Sequence, residues 1–407
     1  MKIVNGGVTA AKGFQASGVE ANIKYTNRKD MAMIYSEAPC MAAGTFTTNV
    51  VKAAPVVWDK DIVTNSPYAQ AVVVNAGIAN ACTGKQGMDY CKEEAQTVSK
   101  LLNIPENAVL VGSTGVIGKQ LPIDKINAGI EKLVSLLNDS LDAGHTAATA
   151  IMTTDTVSKE VAVTFEIDGK EVTMGGMCKG SGMIHPNMCT MLSYVTTDLA
   201  ISHELLQKAL SDSVVDTYNM ISVDGDTSTN DTCLLLANGM AGNKEITEEN
   251  DDYAKFVEAL NYVNTTLAKE MAGDGEGASK LFEAKVVNAK TKEDARILSR
   301  AIVGSNLSKA AIYGCDANFG RFLCAMGYSG SAFDQNDVEL FFESENGRLQ
   351  VFDKGTPISF DEELAVKILS APEVTIFVDM NEGNEEATAW GCDLTYDYIK
   401  INADYRS

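Results

Sequence analysis

The stretch Lys179-Gly180-Ser181-Gly182-Met183-Ile184-His185-Pro186-Asn187-Met188-Cys189-Thr190-Met191-Leu192 constrains this chain more than any other. Small residues fill 180–190, and an apolar, β-prone run (Met191, Leu192, Tyr194, Val195) follows at once. Gly180 and Gly182 permit backbone angles that a side chain forbids, while Pro186 fixes φ and removes a donor. Such a loop can present a reactive group against the end of a strand, and the group in question is Thr190. A hydroxyl is a poor nucleophile unless a base stands beside it. Cutting the Cys189–Thr190 bond would free the Thr190 α-amine, whose unperturbed pKa is roughly 7.7–8.0. One residue would then carry both nucleophile and base. On the residues alone, a Gly-rich turn before a buried strand is commonly only a turn.

The rest of the chain predicts an α+β (mixed α/β) fold of layered β-sheets flanked by helices. Residues 1–60 read as short strands and turns. Ala71-Val72-Val73-Val74 is continuously apolar, as a strand buried on both faces requires. Ala108–Val111 is a short strand running into Gly112-Ser113-Thr114-Gly115. Ile123, Ile126, Ile130, Leu133 and Leu137 form a helical stripe. Residues 160–167 and 171–177 alternate as two strands about the hairpin signal Asp168-Gly169. Phe256, Leu260, Val263 and Leu267 mark a helix over 246–271 that ends in Gly273-Asp274-Gly275-Glu276-Gly277-Ala278. The last third alternates strands (282–287, 310–313, 338–343, 348–353, 374–379) with a helix over 291–303, and closes on a strand over 388–401.

Several chemistries are excluded by pattern. A net charge of −22 argues against a nucleic-acid partner, since phosphate binding needs a basic surface. No run approaches the ~18 apolar residues of a membrane span, and the first residues lack the apolar core of a signal peptide. The expected location is cytoplasmic. Nine cysteines without a C-x-x-C pair, beside three histidines, suggest neither a zinc site nor a disulfide framework, so no metal is expected. His185 alone lies in a notable motif, and a positioning or packing role suits it. Asn75–Lys85 lacks the P-loop spacing. Ser222–Thr232 lacks the EF-hand spacing, because Thr229 stands where the Gly belongs and Leu235 where the Glu belongs.

The 179–192 block resembles the cleavage and nucleophile segment of the ornithine acetyltransferase (glutamate N-acetyltransferase) family of arginine biosynthesis. Further blocks resemble that family from Gly6-Gly7-Val8 to the C-terminal Ser407, with departures at Ile78, Cys189 and Cys315–Phe319. The resemblance implies a self-processing, N-terminal-nucleophile type architecture. Chain 1–189 would separate from chain 190–407, and the two would assemble as a heterotetramer of two α and two β chains. It further implies Thr190 as nucleophile, Thr114 and Gly115 as the oxyanion hole, and Thr153, Lys179, Glu276, Asn402 and Ser407 as substrate contacts. Lys179 suits a substrate carboxylate, and Glu276 a substrate ammonium. The implied substrates are N-acetylornithine and glutamate, with no cofactor; whether acetyl-CoA is a second acetyl donor stays open. Two other readings remain at this point: an N-terminal-nucleophile amidohydrolase or aminopeptidase, and an unprocessed small-molecule binding protein.

Overall fold

The computed structural model describes residues 1–185 and 191–405. The fold is α+β, with layered sheets flanked by helices. It comprises two units, and among the described residues the first holds 1–180, 191–215 and 227–267, the second 181–185, 216–226 and 268–405. The chain thus changes unit between Gly180 and Ser181, inside the loop singled out above.

In the first unit, a nine-stranded sheet is built from β1 (Lys2–Val4), β2 (Phe14–Val19), β3 (Met31–Phe46), β4 (Ala69–Ile78), β5 (Val109–Val116), β6 (Lys159–Ile167), β7 (Lys170–Lys179), β8 (Leu192–Thr197) and β10 (Thr232–Ala237), while β9 (Ile221–Ser222) belongs to the second unit. The spatial order is β1-β6-β7-β8-β10-β3-β4-β5, with β2 on β3. The first 60 residues are not a series of short strands. They contain the 16-residue β3 and the helix α1 (Ala54–Asn65). Pro39 lies within β3 although it has no N–H to donate. The strand continues past it: its register with β4 jumps between Tyr35 and Cys40, and its far end pairs with β10. Pro55 in the first turn of α1 is compatible with a helix start.

Helices α2 (Gly84–Leu102), α3 (Ile123–Leu136) and α4 (Leu141–Ala150) follow. The predicted stripe is on the core side of α3, where Ile126, Ile130 and Leu133 are fully buried beside Val73, Val109 and Val111. The β6–β7 hairpin is as predicted. Asp168 and Gly169, both at positive φ, form its two-residue turn, and the register runs from Ile167↔Lys170 to Lys159↔Cys178. Two helices, α5 (His203–Asp216) and α6 (Asp251–Gly273), begin in the first unit.

The second unit has a seven-stranded sheet of order β14-β13-β12-β15-β11-β16-β9, formed with β11 (Leu281–Ala289), β12 (Glu339–Ser344), β13 (Gly347–Asp353), β14 (Thr356–Pro357), β15 (Glu373–Asp379) and β16 (Glu385–Cys392). The helix α7 (Lys292–Gly304) packs on β11 and β16. Two expectations fail here. Residues 310–313 lie in α8 (Asn306–Gly314), because the Ser305 hydroxyl accepts the Ser308 N–H and caps a helix that ends at the left-handed Cys315. The C-terminal strand stops at Cys392. After α9 (Phe319–Gly327) and α10 (Glu362–Leu369), the last helix, α11 (Tyr396–Ala403), carries Asn402.

Candidate active site

Thr114 and Gly115 sit near the end of β5, where its parallel pairing with β4 becomes irregular. Gly77 and Gly115 have φ of +110° and +126°, and a Cβ on Gly115 would lie 2.2 Å from the Gly77 carbonyl carbon. The two backbones approach so closely that only glycine fits. Polar side chains lock the irregularity. Ser113 Oγ donates to Asn75 Oδ1 (2.6 Å), Asn75 Nδ2 donates to the Ile78 carbonyl (2.9 Å), and Asn230 Nδ2 donates to the carbonyls of Ala79 (2.5 Å) and Ser113 (2.7 Å). The outer edge of β5 is covered by α1: Trp58 Nε1 donates to the Val109 carbonyl (3.0 Å), and the Val111 N–H donates to Asp59 Oδ1 (2.7 Å).

Lys179 ends β7, and its ammonium donates to Thr153 Oγ1 at 2.8 Å. The resemblance named both residues, and the fold joins them. Between them stands Asp155, to which the sequence reading gave no role. Its carboxylate accepts the N–H groups of Thr153 (3.0 Å) and Gly180 (2.7 Å) and pairs with Lys159 at 2.9 Å, and the Lys179 ammonium lies 3.8 Å away. Burial alone would raise its pKa, but the two ammonium groups hold it well below the ordinary carboxylate range. Arg28 secures the same turn by donating to the carbonyls of Met152 (2.6 Å) and Thr153 (3.2 Å).

Cys189 and Thr190 lie outside the described residues, as does Ser407. The next residue, Met191, is buried, and its carbonyl accepts the Thr232 N–H at 2.8 Å. Asp231, also buried, accepts the Met191 N–H. Burial pushes its carboxyl well above the usual range, although Ser228 and Thr47 hydrogen-bond to it.

In the second unit, Glu276 and Asn402 are joined: Asn402 Nδ2 donates to Glu276 Oε2 at 2.6 Å. Glu276 is buried on its glycine-rich loop, and its N–H donates to the Ser181 carbonyl at 2.9 Å. A Cβ on Gly182 would lie 2.4 Å from that carboxyl group, so the second glycine of the loop is needed for close approach. Asp224 gathers the following residues, accepting the N–H groups of Met183 (2.6 Å) and Ile184 (2.9 Å) and the Tyr398 hydroxyl (3.2 Å). His185 is held between Ser222 Oγ (2.9 Å from Nδ1) and Arg300 Nη2 (3.3 Å from Nε2). Burial and then the Arg300 guanidinium push its pKa down to about 4, so the ring is neutral near pH 7. Arg300 can only donate, which leaves Nε2 as acceptor and Nδ1–H as the donor to Ser222. A positioning role fits this geometry better than a proton-transfer role.

Among the described residues, no group of three or more His, Cys, Asp or Glu side chains could hold a metal ion, and no helix is long and apolar enough to cross a membrane.

The sequence model of the ArgJ family matches residues 15–407. The chain belongs to the ArgJ family. The resemblance read from the motif blocks is therefore correct over nearly the whole chain. The ArgJ relative "Arginine biosynthesis bifunctional protein ArgJ 1" of Clostridium acetobutylicum is 53% identical, covering 100% of this chain and 99% of its own. The ArgJ protein of Caldanaerobacter subterraneus is 52% identical, with both chains covered completely. Among solved structures, the Bacillus halodurans ArgJ chain is 46% identical with a TM-score of 0.50, covering 53% of this chain and 99% of its own.

Proposed function

We propose that this ArgJ-family enzyme of arginine biosynthesis cleaves itself between Cys189 and Thr190, then moves an acetyl group from N-acetyl-L-ornithine to L-glutamate. The reading treats 1–189 and 190–407 as the two mature chains, assembled two and two in the cytoplasm. The observation that carries it is a length. The Bacillus halodurans ArgJ chain is aligned over 99% of itself yet spans only 53% of this one. A relative about half as long is what one product of such a cut would be.

The Thr190 α-amine takes the proton from its own Oγ as that oxygen bonds to the acetyl carbon. Thr114 and Gly115 stabilise the resulting oxyanion, a contribution of about 2.7–4 kcal/mol per well-placed donor. Collapse breaks the amide C–N bond, and the ornithine nitrogen leaves with the proton. The glutamate amine then attacks acetyl-Thr190 and gives its proton back to the Thr190 amine, and N-acetylglutamate departs with the hydroxyl restored. Lys179, with three donors and one engaged by Thr153, takes the carboxylate that both substrates share. Glu276, oriented by Asn402, takes a substrate ammonium, and Ser407 is a further contact. The relatives carry the word bifunctional in their names, and we include acetyl-CoA as a second acetyl donor.

The test is direct. Denaturing gels of the purified enzyme give fragments of 189 and 218 residues (407 − 189), and mass spectrometry places the acetyl group on Thr190. Thr190→Ala protein runs as one band and transfers nothing. Acetate release that ignores glutamate would make the enzyme a hydrolase instead.

A further inference from the structure

Away from these residues, the first unit buries a second polar cluster. Asp59 on α1, Glu94 on α2 and Tyr194 on β8 are each no more than 1% exposed. Among the described residues, Asp59 Oδ2, both Glu94 carboxyl oxygens and the Tyr194 hydroxyl have no hydrogen-bond partner. Asp59 and Tyr194 reach adjacent residues of β5, and the charge of Asp59 acts on both Glu94 and Tyr194. Asp59 Oδ1 accepts the Val111 N–H, and a Cβ on Gly112 would lie 2.2 Å from the Tyr194 hydroxyl. The groups whose charge acts on them are Asp59 itself, Glu93 on α2 and Cys233 on β10, and Glu94 and Asp59 in turn act on Cys91 of α2.

Ionised carboxylates only accept hydrogen bonds, whereas a protonated one donates as well. With both acids ionised, three buried carboxyl oxygens would stand without a donor, a costly arrangement in a low dielectric. Protonation supplies the missing donors, with water bridging oxygens that do not touch. We propose that Asp59, Glu94 and Tyr194 form a buried proton-sharing site that carries at most one negative charge at neutral pH and ties the packing of β5 to pH. Burial, then mutual repulsion, pushes the Glu94 carboxyl up to about 8, and burial pushes Asp59 well above the ordinary range. The folded chain therefore keeps protons that the unfolded chain releases. This stabilisation is complete below the ordinary carboxylate range, roughly pH 4–5, and is lost as pH rises to about 8.

Intact wild-type enzyme carrying glutamate labelled with 13C at its side-chain carboxyl is followed by NMR from pH 4 to 9. One signal should titrate near 8, and that signal should vanish in Glu94→Gln. The thermal midpoint should fall by on the order of 5 °C between pH 5 and 8, and the Asp59→Asn/Glu94→Gln double variant should lose that slope. Absence of the high-pH glutamate signal overturns the proposal, and because it is read on wild-type protein it needs no variant to fold. A midpoint at pH 8 that rises with potassium or sodium, but not with tetramethylammonium at equal ionic strength, overturns it in favour of a resident cation.

Discussion

Asp155 and Asp59 are both buried in the first unit, both accept backbone N–H groups, and their carboxyls are pushed in opposite directions. Burial disfavours charge at each. Asp155 overcomes it because two ammonium groups and two N–H donors surround it, whereas Asp59 meets one N–H donor and another acid. Burial alone therefore does not fix a carboxyl's state in this protein; the neighbouring cations do. The ionised aspartate steadies Thr153 and Lys179, the proposed substrate contacts, while the other acid braces the edge of the strand that carries Thr114 and Gly115.

The largest effect that would break this contrast is Asp155→Asn. It leaves Lys159 and Lys179 without their counter-charge and should cost about 3–5 kcal/mol of stability, read by urea unfolding at pH 7. The same group gives wild type an acid limb. Its folded pKa is depressed, so its stabilisation is present above the unfolded value and is lost as pH falls through the folded one. That slope is opposite in sign to the slope expected from Asp59 and Glu94. Gly115→Ala comes next. It places a Cβ 2.2 Å from the Gly77 carbonyl carbon at a φ of +126°, so kcat should fall by about 10²–10³ if the oxyanion donor is displaced. Strain of this kind costs about 1–3 kcal/mol, and a kcat unchanged in folded protein would remove Gly115 from the proposed mechanism.

Much of this was legible in the sequence, and the omissions have identifiable causes. Thr153 with Lys179, and Glu276 with Asn402, came from motif resemblance, and the fold joins each pair. Asp155 was missed although a signal existed. The two-residue Asp168-Gly169 turn fixes the hairpin register, and counting back from it pairs Lys159 with Cys178, the neighbour of Lys179. Two lysines brought to one end of a hairpin call for a buried acid. Asp59 offered no such signal. It fell in a region, 1–60, that reads as short strands and turns, and it is buried because the edge strand β5, distant in sequence, needs an acceptor for Val111. The helix α11 was misread as strand because its residues include none that are buried, so no apolar stripe marks it.

The smallest predicted effect is the sharpest. Asp59→Asn is the same change as Asp155→Asn, at an equally buried position of the same unit. Asparagine keeps a carbonyl oxygen for the Val111 N–H and replaces the protonated oxygen with another donor. If Asp59 is already neutral at pH 7, no charge is lost and the cost should be under ~1 kcal/mol, the scale of one net hydrogen bond. Above pH 8 the variant should match or exceed wild type, because removing one acid relieves Glu94 of its repulsion. Two aspartates, one substitution and a severalfold difference in cost would follow from their neighbours alone. Equal costs at pH 7 would mean that Asp59 is ionised in the folded protein and that the contrast between the two acids is false.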